Sequence, residues 1–216
     1  MRQKSFSFYS AEVKLKIKRL IKMFNWWLAL IYLTSMLSFL LIFLISLTAL
    51  AGGLLIGNGV YAGFTAAPYL GTPKKKIRRA LSLASLKPGE HFYDLGSGDG
   101  RSLIIAAREH QARATGFELW YFLYLWSKVS IFLHSCSDKA RVYWKNFYQT
   151  DISNADVIFC FLTPKAYRRL KDKFNKELKN GTRIVTFSSP LGFWKPQQII
   201  TFSDKSKLFF YIKNDK

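Results

Sequence analysis

The tightest constraint in this chain is the stretch Phe92-Tyr93-Asp94-Leu95-Gly96-Ser97-Gly98-Asp99-Gly100-Arg101. An aromatic and apolar run closes on an acidic residue, and a glycine-rich turn follows. Ser102-Leu103-Ile104-Ile105-Ala106-Ala107-Arg108 then carries the apolar spacing of a helix with one face inward. Strand, glycine turn and helix in that order predict a nucleotide-type binding corner. Glycine lets the chain turn sharply, and a helix N-terminus presents free N–H groups. A dinucleotide fingerprint spaces its glycines G-x-G-x-x-G and seats a pyrophosphate on the helix. Here they run Gly96-x-Gly98-x-Gly100, one residue tighter, with Asp94 two places ahead. Ala112 to Glu118 reads as the next strand. It ends in a carboxylate able to accept both hydroxyls of a ribose, as the acid of dinucleotide folds does.

The pattern D-x-G-x-G-x-G resembles the first motif of the class I methyltransferases that use S-adenosylmethionine (SAM). The resemblance implies a role for each residue. Gly96, Ser97, Gly98 and Gly100 lay main chain against the cofactor, Asp94 holds its methionine amino group, and Glu118 takes the ribose. In that family a polar residue just past the third strand, usually Asp, reads the adenine amino group. Asn146 stands there, after Ala140-Arg141-Val142-Tyr143-Trp144, and its side-chain carbonyl can accept the same hydrogen bond.

From Asn25 to Thr72 the chain has no charged residue. That is longer than the ~20 residues that span a bilayer, and Trp26 and Trp27 sit at its border, where indoles favour the interface. A membrane anchor is predicted over residues 25–71, ending in a glycine-rich connection. Basic residues flank it on both sides: Lys14, Lys16, Lys18, Arg19 and Lys22 before, Lys74, Lys75, Lys76, Arg78 and Arg79 after. The positive-inside rule pulls both ends to one side. That favours a hairpin, with Gly52 to Gly63 returning through the membrane. No turn is evident near residues 44–50, which favours one span, and one span is the expectation. Residues 1–24 read either as a basic amphipathic helix on anionic headgroups or as a disordered tail.

Thr72 and Pro73 open the remaining domain, residues 72–216. Thr72 is placed to cap a helix beginning at Pro73 and running to Leu86. Strands and helices then alternate. Leu119 to Leu133 is a very aromatic helix, expected to pack on the sheet. Ala155 to Leu162 is a fully apolar strand, typical of a sheet covered on both faces. Thr163-Pro164 ends it, the helix Lys165 to Lys179 follows, and Asn180-Gly181 leads into the strand Thr182 to Phe187. Gln198 to Phe202 and Lys207 to Ile212 look like an antiparallel closing pair. The fold class is α/β: a Rossmann-like, mostly parallel sheet behind an N-terminal helical anchor.

The excess of 33 Lys+Arg over 13 Asp+Glu, a formal +20, calls for an anionic partner. Placed beside the anchor, it points to lipid headgroups, with a nucleic-acid methyltransferase as the less favoured alternative. Cys136 and Cys160 make no disulfide framework, and a reduced compartment is the simple reading. His91, His110 and His134 have no ligand spacing, so no metal site is expected.

The domain is similar to a narrower group, the membrane-anchored protein-lysine methyltransferases of mitochondria and their prokaryotic relatives. The match rests on the anchor, Pro68-Tyr69-x-x-Thr72-Pro73, the glycine stretch, Gly116-Phe117-Glu118-Leu119 and Phe161-Leu162-Thr163-Pro164. It continues in Leu170-x-x-x-Phe174-x-x-Glu177-Leu178 and in Gly181-Thr182-Arg183-Ile184-Val185. Trp120 departs from the group, which commonly has Asn there. The resemblance implies transfer of methyl to a lysine of a membrane protein, with the domain on the cytoplasmic or matrix side. It also adds Thr72 to the cofactor set. A lysine nucleophile must arrive neutral, so an apolar mouth is expected, at Thr163 and Pro164 with Trp194 and Tyr69 behind them. The N-P-P-[YF] run of nucleobase and glutamine methyltransferases is absent. A lipid, quinone or other membrane-dissolved acceptor is the alternative.

Overall fold

The computed structural model describes residues 2–65 and 69–214, with side chains from Val13 onward. Pro68 and the side chains of Arg2, Lys4 and Glu12 lie outside the described residues. The chain forms two compact units, Met1–Gly53 and Leu54–Lys216. The first consists of helix α1 (Arg2–Thr65), whose last turns, from Leu54, belong to the second. Val13–Thr65 is long and apolar enough to cross a membrane, and almost every described side chain up to Gly53 is exposed. Residues 25–53 alone make roughly 44 Å of helix at about 1.5 Å per residue. The hydrocarbon core of a bilayer is ~30 Å thick. The glycine-rich connection is helix: α1 runs through Gly52 to Gly63 without a turn. Leu54, Leu55 and Ala62 are good helix formers among these glycines, each of which costs about 1 kcal/mol.

The second unit is a seven-stranded sheet in the order β3-β2-β1-β4-β5-β7-β6. Its strands are β1 (His91–Leu95), β2 (Arg113–Glu118), β3 (Ala140–Trp144), β4 (Val157–Cys160), β5 (Arg183–Phe187), β6 (Gln198–Thr201) and β7 (Lys207–Ile212). β3 to β5 pair in parallel, and β7 enters antiparallel between β5 and β6. Alternation along each strand builds two cores. Phe92, Ala114, Val142, Phe159 and Val185 face α2 (Lys74–Leu83), α3 (Arg101–Glu109) and α4 (Tyr121–Leu133). Leu95, Phe117, Ile158, Cys160 and Ile184 face α5 (Pro164–Glu177).

Two expectations change. α2 starts at Lys74, with Pro73 at its N-cap; Ile77 N–H donates to the Pro73 carbonyl (3.2 Å), and no side chain caps the helix. Proline's ring pre-sets the entry, while Thr72 is buried. In α4 only Leu123, Ser127 and Ile131 are buried. Tyr124 packs partly on the sheet core, but Phe122, Trp126 and Phe132 are exposed, and small and branched residues occupy the rest of the side that meets β2 and β3.

The β4–α5 corner is held by one phenol. Tyr167 is buried; its hydroxyl donates to the Cys160 carbonyl (3.1 Å) and accepts from Leu162 N–H (3.1 Å). Tyr167→Phe keeps the packing and orphans that buried N–H. We expect a loss of about 1–3 kcal/mol in unfolding free energy, read from denaturant midpoints. An unchanged midpoint would show that the corner is held by packing alone.

Candidate functional site

The order β2-β1-β4 is the topological switch point of this sheet. β1 hands the chain to α3 on one face, and β4 hands it to α5 on the other, which leaves a crevice at the carboxyl ends of the strands. The glycine turn fills this crevice. Gly96 N–H (3.0 Å) and Ser97 N–H (3.1 Å) both donate to the Phe117 carbonyl at the end of β2. Gly98 has φ +55°, and a Cβ there would lie 2.5 Å from the Tyr69 ring. Gly100, with φ +79°, is the N-cap of α3, and a Cβ there would fall on the Ser127 hydroxyl. Glycine is required at both places by conformation and by space.

Two carboxylates close the crevice. Asp94, near the end of β1, is 4% exposed, and its Oδ2 accepts from the Ser102 hydroxyl. Burial pushes its pKa up to about 7, the Ser102 hydrogen bond opposes that rise, and the negative charge of Glu118 adds to it. Among the described residues no basic side chain pairs with it. Glu118 ends β2. Its Oε2 accepts from Gly98 N–H (2.8 Å), and its Oε1 from Leu119 (2.9 Å) and Trp120 (2.8 Å). Burial raises its pKa, and those three N–H groups hold it back.

A carboxylate has about four acceptor positions. Three are used here, so one ribose hydroxyl fits as Glu118 stands, and gripping both requires a backbone N–H to be released.

A clasp not evident from the motif ties the turn to the segment before α2. Arg101 makes a two-pronged pair with Asp99 (2.9 and 2.6 Å), and its other nitrogen donates to the Thr72 carbonyl (3.1 Å). Burial pushes Asp99 up, but the guanidinium outweighs it and holds the carboxyl below its ordinary range. The only sequence signal was Asp99-x-Arg101 within the loop. Thr72 therefore enters the site through its backbone and its burial.

One cleft gathers Tyr69, Thr72, Asp94, Gly96, Ser97, Gly98, Glu118, Trp120, Phe161 and Leu162. Asn146 lies outside it, in an adjoining open groove with Tyr143 and Trp144; Phe117 and Leu119 line both. Its Oδ1 accepts from Tyr148 N–H (3.1 Å) and caps a short 3-10 turn, leaving a second lone pair. Phe161 and Leu162 form the wall where the mouth was expected. Thr163 accepts from Ala166 N–H (3.3 Å) as the N-cap of α5, and Pro164 begins that helix. Trp194 packs on Phe174 and Phe193 instead. The last turns of α1 border the cleft through Gly59, Ala62 and Gly63. Among the described residues no group of His, Cys, Asp or Glu is set to hold a metal.

A buried acid lacking a cation, glycine backbone open to a ligand, and an unpaired Ser97 hydroxyl suit a zwitterionic, hydroxyl-bearing molecule. Comparison with known proteins agrees. Residues 94–198 match the family model for the ANTKMT methyltransferase domain. A protein-lysine N-methyltransferase from Saccharolobus islandicus is 36% identical over 138 residues, covering 63% of this chain and 86% of that one. The mouse adenine nucleotide translocase lysine N-methyltransferase is 31% identical over 134 residues; the match takes in 62% of this chain and 58% of that protein's length. Among solved structures, an RNA methyltransferase from Salinibacter ruber in complex with S-adenosyl-L-homocysteine superposes with a TM-score of 0.64. It is 29% identical, over 66% of this chain and 93% of that one.

The raised pKa of Asp94 has a consequence for stability. Below pH 3.8 folded and unfolded chains both hold its proton. Between there and about 7 the unfolded chain sheds it and the folded chain keeps it. Folding stability therefore falls with rising pH through this window, by up to ~1.4 kcal/mol per unit from this group, and levels off above it. Asp94→Asn should remove that fall. Denaturant midpoints at pH 5 and 7.5 read it, and identical pH slopes in both proteins would refute it.

Proposed function

The chain belongs to the SAM-dependent protein-lysine methyltransferase family, and from that premise we propose that it methylates a lysine of a membrane protein while anchored by α1. The likeness to protein-lysine enzymes, one of them 36% identical and covered over 86% of its length, carries the acceptor class. The charge-free stretch of α1 from Asn25 onward supports the membrane setting. The basic residues that follow it, Lys74, Lys75, Lys76, Arg78 and Arg79, favour a domain on the cytoplasmic or matrix side. We take residues 25–53 as the span and residues 72–216 as the catalytic domain.

SAM supplies an electrophilic methyl group on a sulfonium, so the protein's work is to bind, orient and exclude water. In this reading ionised Asp94 receives the cofactor's ammonium, which replaces the cation its buried site lacks. Gly96, Ser97 and Gly98 give backbone access, while Gly100, outside the cleft lining, starts α3 against Ser127; Glu118 takes ribose, and Asn146 offers its free lone pair to adenine. Thr72 holds Arg101 and closes the near side. The acceptor lysine enters beside Phe161, Leu162 and Tyr69, just ahead of Thr163 and Pro164. These apolar walls favour the neutral amine by desolvating it.

A second reading has an observation behind it: the RNA methyltransferase fold match and the +20 charge together admit a nucleic-acid acceptor. Incubating membranes and RNA with methyl-labelled SAM separates the readings. Label in lysine of a membrane protein is the expected result; label in RNA or in the organic extract would overturn it. For the cofactor, calorimetry on the full chain should show SAM affinity falling at least tenfold in Asp94→Ala and in Glu118→Ala. Wild-type affinity should rise with pH up to about 7, as Asp94 ionises. Undiminished binding in both variants would remove these residues from the cofactor site.

A further inference from the structure

α4 is apolar on both sides. Leu123, Ser127 and Ile131 meet the sheet, yet the opposite face carries Phe122, Leu125, Trp126, Val129, Phe132 and Leu133 in the open. The residues at 122, 125, 126, 129, 132 and 133 keep helical spacing and form one stripe. Phe132 is 74% exposed, Leu133 71% and Trp126 56%. Trp144 extends the stripe: it is half exposed, its ring meets that of Tyr121 at 4.9 Å, and its Nε1 donates to the Leu119 carbonyl. A helix that is hydrophobic all round is a buried one. Something other than protein core must cover this face.

We propose that the outer face of α4 lies in the interface of an anionic lipid bilayer, as a second membrane contact of the catalytic domain. Three observations select lipid. The start of α4 is joined to the apolar anchor helix: Asn58 Oδ1 accepts from Tyr121 N–H (2.7 Å), and the Trp120 ring lies against Gly59. The stripe is therefore continuous with the C-terminal turns of the membrane-crossing candidate. The charge pattern fits headgroups, since no acid occurs between Glu118 and Asp138, while Lys128 and Lys145 are exposed beside the stripe. Finally, α4 has 13 residues, about 20 Å, too short to span ~30 Å of hydrocarbon but suited to lying in its surface. Contact there turns the Glu118 end of the cleft, three residues before α4, toward the headgroups. A lysine close to the bilayer surface is then the acceptor within reach.

This proposal rests on the anchored reading above, and the test separates the two. The full chain is reconstituted into vesicles of phosphatidylcholine and phosphatidylglycerol, with a nitroxide placed singly by Leu125→Cys or Phe132→Cys. Phe39→Cys in α1 reports insertion of the anchor, and Lys171→Cys on the exposed side of α5 is the aqueous control. Cys136 and Cys160 are buried and leave the label to the new site. Collision with oxygen and with a water-soluble nickel chelate is then measured by spin resonance.

The labels at 125 and 132 are expected to meet nickel at least fivefold less often than the label at 171, with oxygen collisions raised. Nickel access equal to that at 171, with the label at 39 shielded, overturns the α4 contact and leaves the anchor standing. Shielding that appears only after a membrane protein is added also overturns it, in favour of a protein partner. If the labelled variants fail to bind SAM, the unlabelled chain decides. Brominated lipids should quench its fluorescence by a component that Trp126→Phe removes, and quenching unchanged by that substitution overturns the proposal.

Discussion

The carbonyl of Phe117 accepts two N–H groups, from Gly96 and Ser97, and the adjacent Glu118 carboxylate accepts Gly98. Through these bonds the turn after β1 is fastened to the end of β2 rather than to its own helix. They require φ values that only glycine adopts without strain, and they place α3 against the sheet. Gly116 lies beneath, where a Cβ would come within 2.7 Å of Ser97 and Leu103 side-chain atoms. Backbone approach at this one point therefore sets the crevice, the direction of α3 and the position of both acids.

Holding two buried carboxylates in one crevice is costly, and the protein treats them differently. Glu118 is satisfied by three backbone N–H groups and stays close to a fixed orientation. Asp94 has one hydroxyl and a pKa near 7. The imbalance leaves Asp94 as the group whose environment improves most when a cation arrives. The Asp99–Arg101 pair between them keeps a positive charge in the loop without giving it to Asp94. In our reading this separation keeps Asp94 available for the cofactor's ammonium.

The same chain handles apolar surface in two ways. In the sheet, alternation sends one set of residues to α2, α3 and α4 and the other to α5. In α1 up to Gly53 and along the outside of α4 most apolar side chains are exposed. Within the second unit the last turns of α1, Leu54–Thr65, meet the start of α4 at Asn58 and Tyr121 and border the cleft.

Much of this was legible in the sequence, for local reasons. A strand ending in Asp94, a tight glycine turn and a strand ending in Glu118 follow from residue types and spacing, and so does the charge-free helix. A mostly parallel sheet and an antiparallel closing pair follow from the alternating elements, while the strand order comes from the fold. Four features needed the tertiary structure. The role of Thr72 passed to Pro73 and to a backbone carbonyl, because Arg101 reached it from 29 positions away. Phe161 and Leu162 became the wall because the Tyr167 hydroxyl ties the β4 corner. Gly52 to Gly63 stayed helical, with the good helix formers Leu54, Leu55 and Ala62 among its glycines. Phe122, Trp126 and Phe132 of α4 turned outward, because the buried side of that helix was already filled by Leu123, Ser127 and Ile131. Sequence alone determined which residues are apolar, acidic or free to turn. Which neighbour each one meets was decided by packing, because those contacts join positions that no local spacing relates.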